Sequence, residues 1–111
     1  MEAVKCDIEY DGGILIVKMS GEIDHHSAKR AREEIDTALY LYRPSTVIID
    51  LWGVGFMDSS GLGLILGRYT KAKELGGRLI VANPTGAVER ILNLAGTHKL
   101  ITIKKNEVIE K

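Results

Sequence analysis

The chain has one cysteine, one tryptophan and one phenylalanine in 111 residues, and neither charge is in excess. A single thiol, Cys6, cannot close an intramolecular disulfide. A lone thiol in a chain without staples points to a reducing, cytoplasmic setting. Aromatic residues make up 5% of the chain, too few for a ligand cage or a base-stacking platform. Lys plus Arg is 15 and Asp plus Glu is 15, a formal net charge of zero. A duplex nucleic-acid binder carries a basic excess, so a nucleic-acid partner is not expected. No apolar run approaches the ~18 to 20 residues of a membrane span. The richest, Leu62-Gly63-Leu64-Ile65-Leu66, stops at Gly67-Arg68. No basic amphipathic stretch marks a membrane-surface protein, and the acidic start, MEAVKCDIEYDGG, lacks a signal peptide's apolar core.

What is there is globular: 45% hydrophobic and 27% charged residues. The length suits one domain over 1–111 with one core. Lys5 to Tyr10 and Ile14 to Ser20 read as antiparallel strands joined at Asp11-Gly12-Gly13. Both faces of the second strand are apolar, which predicts cover on both sides. Ala28, Ala31, Ile35, Ala38, Leu39 and Tyr42 recur at helical spacing and predict a helix over 27–42, ended by Arg43-Pro44. Thr46 to Leu51 reads as a central strand. Ser60 to Leu75 reads as a helix, with Leu62, Ile65, Leu66, Tyr69 and Ala72 inward. A strand at Arg78 to Ala82, a helix at Thr85 to Ala95 and a short strand at Leu100 to Ile103 follow. Strands alternating with helices imply parallel neighbours. The expected fold class is α/β: a mixed sheet of four or five strands that opens on an antiparallel hairpin and is covered by packed helices.

The most informative stretch is Gly53-Val54-Gly55-Phe56-Met57-Asp58-Ser59-Ser60-Gly61-Leu62-Gly63, which leaves the central strand and enters the second helix. In open α/β sheets, ligands and partners meet the protein at that end. Asp58, Ser59 and Ser60 are all good caps, so one reading is a capping cluster with glycines easing a turn. The other notes that only one residue can be the N-cap, which leaves at least one serine hydroxyl free. Gly61 and Gly63, at ~1 kcal/mol each in a helix, would then give another surface room to approach. A phosphate on a serine here would meet a helix N-terminus that favours anions. Phe56 reads as core and Met57 as either core or surface. Leu64 falls opposite the inward stripe, with Gly63 and Gly67 beside it, and either docks a partner or packs on a neighbouring helix.

The second stretch is Gly21-Glu22-Ile23-Asp24-His25-His26-Ser27, in which Asp24 reads as an N-cap. Adjacent histidines on an extended chain point apart, and no ligand spacing accompanies them, so no metal is expected. A serine nucleophile would need a base such as His25 or His26. Gly-x-Ser-x-Gly and the glycine-rich nucleotide motifs are incomplete. An enzyme, such as a small serine hydrolase, is the weaker class.

Together, Gly21-Glu22-Ile23-Asp24-His25-His26 and Phe56-Met57-Asp58-Ser59-Ser60-Gly61-Leu62-Gly63-Leu64-Ile65-Leu66-Gly67-Arg68-Tyr69 resemble the STAS-domain anti-sigma factor antagonists. The resemblance runs from the opening hairpin to Gly96. It implies that Ser59 is the phosphorylated residue and that Asp24 contacts the partner. It implies an unphosphorylated form that binds an anti-sigma factor with serine kinase activity and releases a sporulation sigma factor. A serine phosphatase would restore that form. ATP or ADP is expected on the partner kinase, with no cofactor on this chain. The partner-binding surface is expected to comprise Asp24, His25, Met57, Asp58, Ser60, Gly61, Gly63 and Leu64. An antagonist of a general stress-response sigma factor, or another serine-switched STAS regulator, is the alternative.

Overall fold

The computed structural model describes residues 4–109. The two ends of the domain expected over 1–111, and the first three residues of the acidic start, lie outside the described residues. The described chain runs β1 (Lys5–Asp11), β2 (Ile14–Ile23), α1 (His25–Tyr42), β3 (Thr46–Met57), α2 (Ser59–Glu74), β4 (Arg78–Ala82), α3 (Gly86–Leu94), a 3-10 turn (Thr97–Lys99) and β5 (Ile103–Lys104). The strands form one sheet in the order β1-β2-β3-β4-β5. The β1–β2 pair is antiparallel and the other three pairs are parallel, as strands joined by helical crossovers must be. The mixed sheet and its opening hairpin are therefore as expected. Among the described residues no helix is long and apolar enough to cross a membrane.

The core lies between the sheet and its helices. Leu15, Val17 and Met19 of β2, Val47, Ile49 and Leu51 of β3, and Leu79 and Val81 of β4 join Ala31, Ile35 and Leu39 of α1 and Leu64, Ile65 and Ala72 of α2. Each fully buried Leu, Ile or Val contributes about 1.5–3 kcal/mol by leaving water. The second face of β2 is covered less completely than its apolar pattern suggests. Ile16, Ile48 and Ile80 stand in register across β2, β3 and β4, outside this cluster. Ile14, on the same face, is 40% exposed.

The larger departures from the pattern-based boundaries are at the ends of β2 and β3, the start of α1 and the last strand. β3 does not end at Leu51 but runs to Met57, because β2 also runs on to Ile23. Ser20 pairs with Gly53, Gly21 with Val54, Glu22 with Phe56 and Ile23 with Met57, across two register shifts. The glycines that read as a loop serve this bulged pairing: a Cβ on Gly53 would stand 2.7 Å from the Ser20 Cβ. α1 begins two residues early, at His25, directly after its Asp24 cap. The last strand begins at Ile103, because residues after Gly96 are spent on a 3-10 turn closed by Leu100 N–H to Thr97 O at 3.0 Å.

Candidate functional site

Both candidate stretches are helix starts, and both are capped by an aspartate. Asp24 has extended backbone and its Oδ1 accepts from the Ser27 N–H at 2.9 Å. Ser27 Oγ accepts in return from the Asp24 N–H at 3.0 Å, a reciprocal capping box. The Ser27 N–H first, and second the Ser27 hydroxyl, which lies 3.1 Å from Oδ1 and donates to it, hold the Asp24 carboxyl below its ordinary pKa. At α2 the cap is Asp58. Its Oδ1 accepts from the Ser60 N–H at 2.8 Å and from the Ser60 hydroxyl. The Ser60 hydroxyl is the largest cause of a lowered Asp58 pKa, while the Asp24 charge opposes it weakly. The two carboxylates are thus near enough to feel each other. The Asp58 N–H donates to the Ile23 carbonyl at 3.1 Å, which ties the two loops together at this end of the sheet.

That arrangement separates the two serines. Ser60 is half-buried and committed to the cap. Ser59, the first residue of α2, is exposed, and its hydroxyl has no hydrogen-bond partner among the described residues. One hydroxyl is therefore free, as capping arithmetic requires. It stands where the α2 N-terminus favours negative charge.

Several expected contact residues fall elsewhere. Met57 is fully buried and Phe56 is 46% exposed, the reverse of the expectation for Phe56. The β-bulge before Phe56 sets this phase, since Val54 and Met57 both point into the core. Met57 is therefore a packing residue. Gly61 is buried on it: a Cβ there would sit 2.8 Å from the Met57 Cβ. Gly61 is needed for that close approach, not for a partner's clearance. Gly63 is exposed, and a Cβ on it would meet nothing within 4 Å, so clearance is a sound reading there. Leu64 is only 4% exposed. Of the two readings for its face, packing is correct, because α1 and α2 lie side by side. The buried stripe of α2 is Gly61, Leu64, Ile65, Arg68 and Ala72, while Leu62, Leu66 and Tyr69 are half-buried at its flank. His25 and His26 are exposed, and helical geometry does not point them apart: their rings meet edge-on with centroids 5.7 Å apart. Asp24, His25, Asp58, Ser59, Ser60 and Gly63 remain as accessible residues brought to this end by α1 and α2.

Arg68 was not singled out by its spacing. It is 7% exposed, and its Nε lies 2.8 Å from Asp36 Oδ1 on α1. Its place on the buried stripe is readable only once the phase of α2 is known.

Residues 5–108 match the model of the STAS domain. An anti-sigma F factor antagonist of Paenibacillus polymyxa is 38% identical over 105 residues, covering 95% of this chain and 90% of that protein. An anti-sigma-B factor antagonist of Listeria monocytogenes is 28% identical over 100 residues, covering 89% of this chain and 86% of that protein. The solved structure of the anti-sigma factor antagonist SpoIIAA in its unphosphorylated form superposes with a TM-score of 0.78 at 30% identity, covering 89% of this chain and 87% of that one. The Bacillus cell fate determinant SpoIIAA in its phosphorylated form gives 0.71 at 29% identity, covering 89% and 90%.

Proposed function

The chain belongs to the STAS-domain family and is an anti-sigma factor antagonist, and we propose that Ser59 is its on–off switch. With Ser59 unmodified, the chain binds an anti-sigma factor that is also a serine kinase and releases a sporulation sigma factor. Phosphorylation of Ser59 by that kinase ends the binding, and a serine phosphatase restores it. The ATP or ADP of this cycle belongs to the partner, the cycle runs in the cytoplasm, and the chain acts as a regulator and not as an enzyme.

One observation carries the reading. Of two adjacent serines, Ser59 alone is exposed with an uncommitted hydroxyl, and it stands at a helix N-terminus beside Asp58 and Asp24. A phosphoserine adds about 1.5–2 negative charges. The helix start tolerates that charge, so the fold survives. Two neighbouring carboxylates and a partner's bound nucleotide would not tolerate it in an interface. Like charges brought together there cost several kcal/mol, and about 2.7 kcal/mol is already a hundredfold in affinity. A relative solved in a phosphorylated form supports the same chemistry. The sporulation sigma factor is favoured over a general stress one by the higher identity to an anti-sigma F antagonist, 38% against 28%.

The test is incubation with a cognate anti-sigma factor and ATP, followed by peptide mapping. One phosphate on Ser59 is expected. Phosphate on Ser60, or none at all, refutes the assignment.

A further inference from the structure

We propose that Asp58 decides which of the two adjacent serines accepts phosphate, by engaging the Ser60 hydroxyl and leaving that of Ser59 free. This rests on the reading of Ser59 as the switch and names the residue that keeps the switch to one serine. Ser59 and Ser60 carry the same hydroxyl, and both lie in the first turn of α2. Their surroundings tell them apart. Asp58 Oδ1 accepts from the Ser60 N–H at 2.8 Å and from the Ser60 hydroxyl. Ser59 is exposed, and its hydroxyl has no hydrogen-bond partner among the described residues. Ser60 also forms part of the wall of the groove between α1 and α2, and Ser59 does not.

The chemistry of transfer turns that difference into selectivity. In transfer from ATP the serine Oγ bonds to the γ-phosphorus, the bond from that phosphorus to the β–γ bridging oxygen breaks, and ADP leaves. The hydroxyl proton passes to a base of the kinase. A serine meets that requirement when its proton is turned toward the kinase. The Ser60 proton is turned toward a carboxylate of its own chain, in a charge-assisted bond. The same bond is the largest cause of the lowered Asp58 pKa, so Asp58 is ionised and remains the acceptor at neutral pH. Turning the hydroxyl outward forfeits that bond. The product is opposed as well, because a phosphate on Ser60 would set about 1.5–2 negative charges against the carboxylate that caps the same residue. Ser59 meets neither obstacle in its own hydrogen bonding.

The experiment is phosphorylation of the full chain by the cognate anti-sigma factor and ATP, followed by peptide mapping. Rates are compared at saturating chain concentration, so that weaker docking of a variant does not mask its chemistry. Ser59→Ala sets the background. Ser59→Ala/Asp58→Gly should take phosphate on Ser60 at least about tenfold faster than Ser59→Ala, because a charge-assisted hydrogen bond worth that much no longer opposes it. Glycine is itself a favoured N-cap residue, so the helix start survives. Ser59→Ala/Asp58→Asn keeps a side-chain cap without the charge and should gain less; it carries the test if thermal unfolding shows that the glycine variant does not fold. Phosphate on Ser60 of Ser59→Ala at the wild-type rate overturns the proposal. No gain on Ser60 in the folded double variants overturns it too. Phosphate on the wild-type chain anywhere but Ser59 defeats instead the switch reading on which it rests.

Discussion

The backbone N–H of Asp58 donates to the carbonyl of Ile23 at 3.1 Å. Ile23 ends β2 just before the Asp24 cap, and Asp58 ends the β3 crossing just before Ser59. One bond therefore holds the two helix starts side by side. Residues 35 positions apart in sequence form one surface, in which Ser59 is the uncommitted hydroxyl.

The two serines should separate in stability. Ser59→Ala removes a hydroxyl without a partner and should change unfolding free energy by less than about 0.5 kcal/mol, as for surface substitutions generally. Ser60→Ala removes the hydroxyl that donates to Asp58 and should cost about 0.5–1.5 kcal/mol. Urea denaturation of both variants checks this. Equal losses would mean that Ser59 also caps.

The two glycines should separate although their helix propensity is the same. Gly61→Ala drives a Cβ to within 2.8 Å of the Met57 Cβ and 2.9 Å of its sulfur. It should destabilise by about 1–3 kcal/mol through overpacking. Gly63→Ala meets nothing and should stabilise by about 0.5–1 kcal/mol, the helix-propensity gain alone. It should nonetheless weaken binding to the anti-sigma factor by crowding the interface. Thermal unfolding measures the first pair of effects and a binding titration the last.

Acid should reach the fold through the caps. Hydrogen bonds from Ser27 and Ser60 hold the Asp24 and Asp58 carboxyls below the ordinary aspartate value. A carboxylate depressed in the folded state contributes stability above its unfolded pKa and loses it as pH falls through the folded one. The variant Asp24→Asn/Asp58→Asn keeps both caps, since Asn caps about as well as Asp, but cannot titrate. Wild-type melting temperature should therefore fall more steeply than the variant's below about pH 4. Parallel profiles would show that the caps carry no pH-linked stability.

Cys6 should be a slow thiol. Burial, chiefly, pushes its pKa up from 9.0 to about 11, and the nearby Glu34 charge adds to it. The thiolate is the reactive form, so reaction with an aromatic disulfide reagent near pH 8 should run roughly a hundredfold slower than in denaturant. Equal rates in the two conditions would place the thiol in open solvent.

Much of this architecture could be read in the sequence. Helical spacing located α1, Asp24 declared its cap, and Asp58-Ser59-Ser60 announced that one serine would be spare. The parts that escaped depend on pairing between distant segments. The strand character of 52–57 follows from β2 continuing to Ile23 through two bulges, which no local pattern displays. The bulge then sets which of Phe56 and Met57 is buried. Leu64 stays open between docking and packing in the sequence, and Arg68 escapes it, because α2 is buried along two sides, against the sheet and against α1, so its buried stripe is wider than one wheel face. The Arg68–Asp36 pair joins residues 32 apart, and sequence spacing carries no trace of it.

The central claim is that phosphate on Ser59 blocks binding by local charge and bulk while the fold stays as it is. Comparing backbone amide shifts of the Ser59-phosphorylated and free chains tests it most directly. The account predicts changes confined to residues 24–27 and 57–64, around the joined caps, with the amides of β3 over 46–51 and of β4 over 78–82 unmoved. Shifts spread through those strands would contradict it and make phosphorylation a conformational switch.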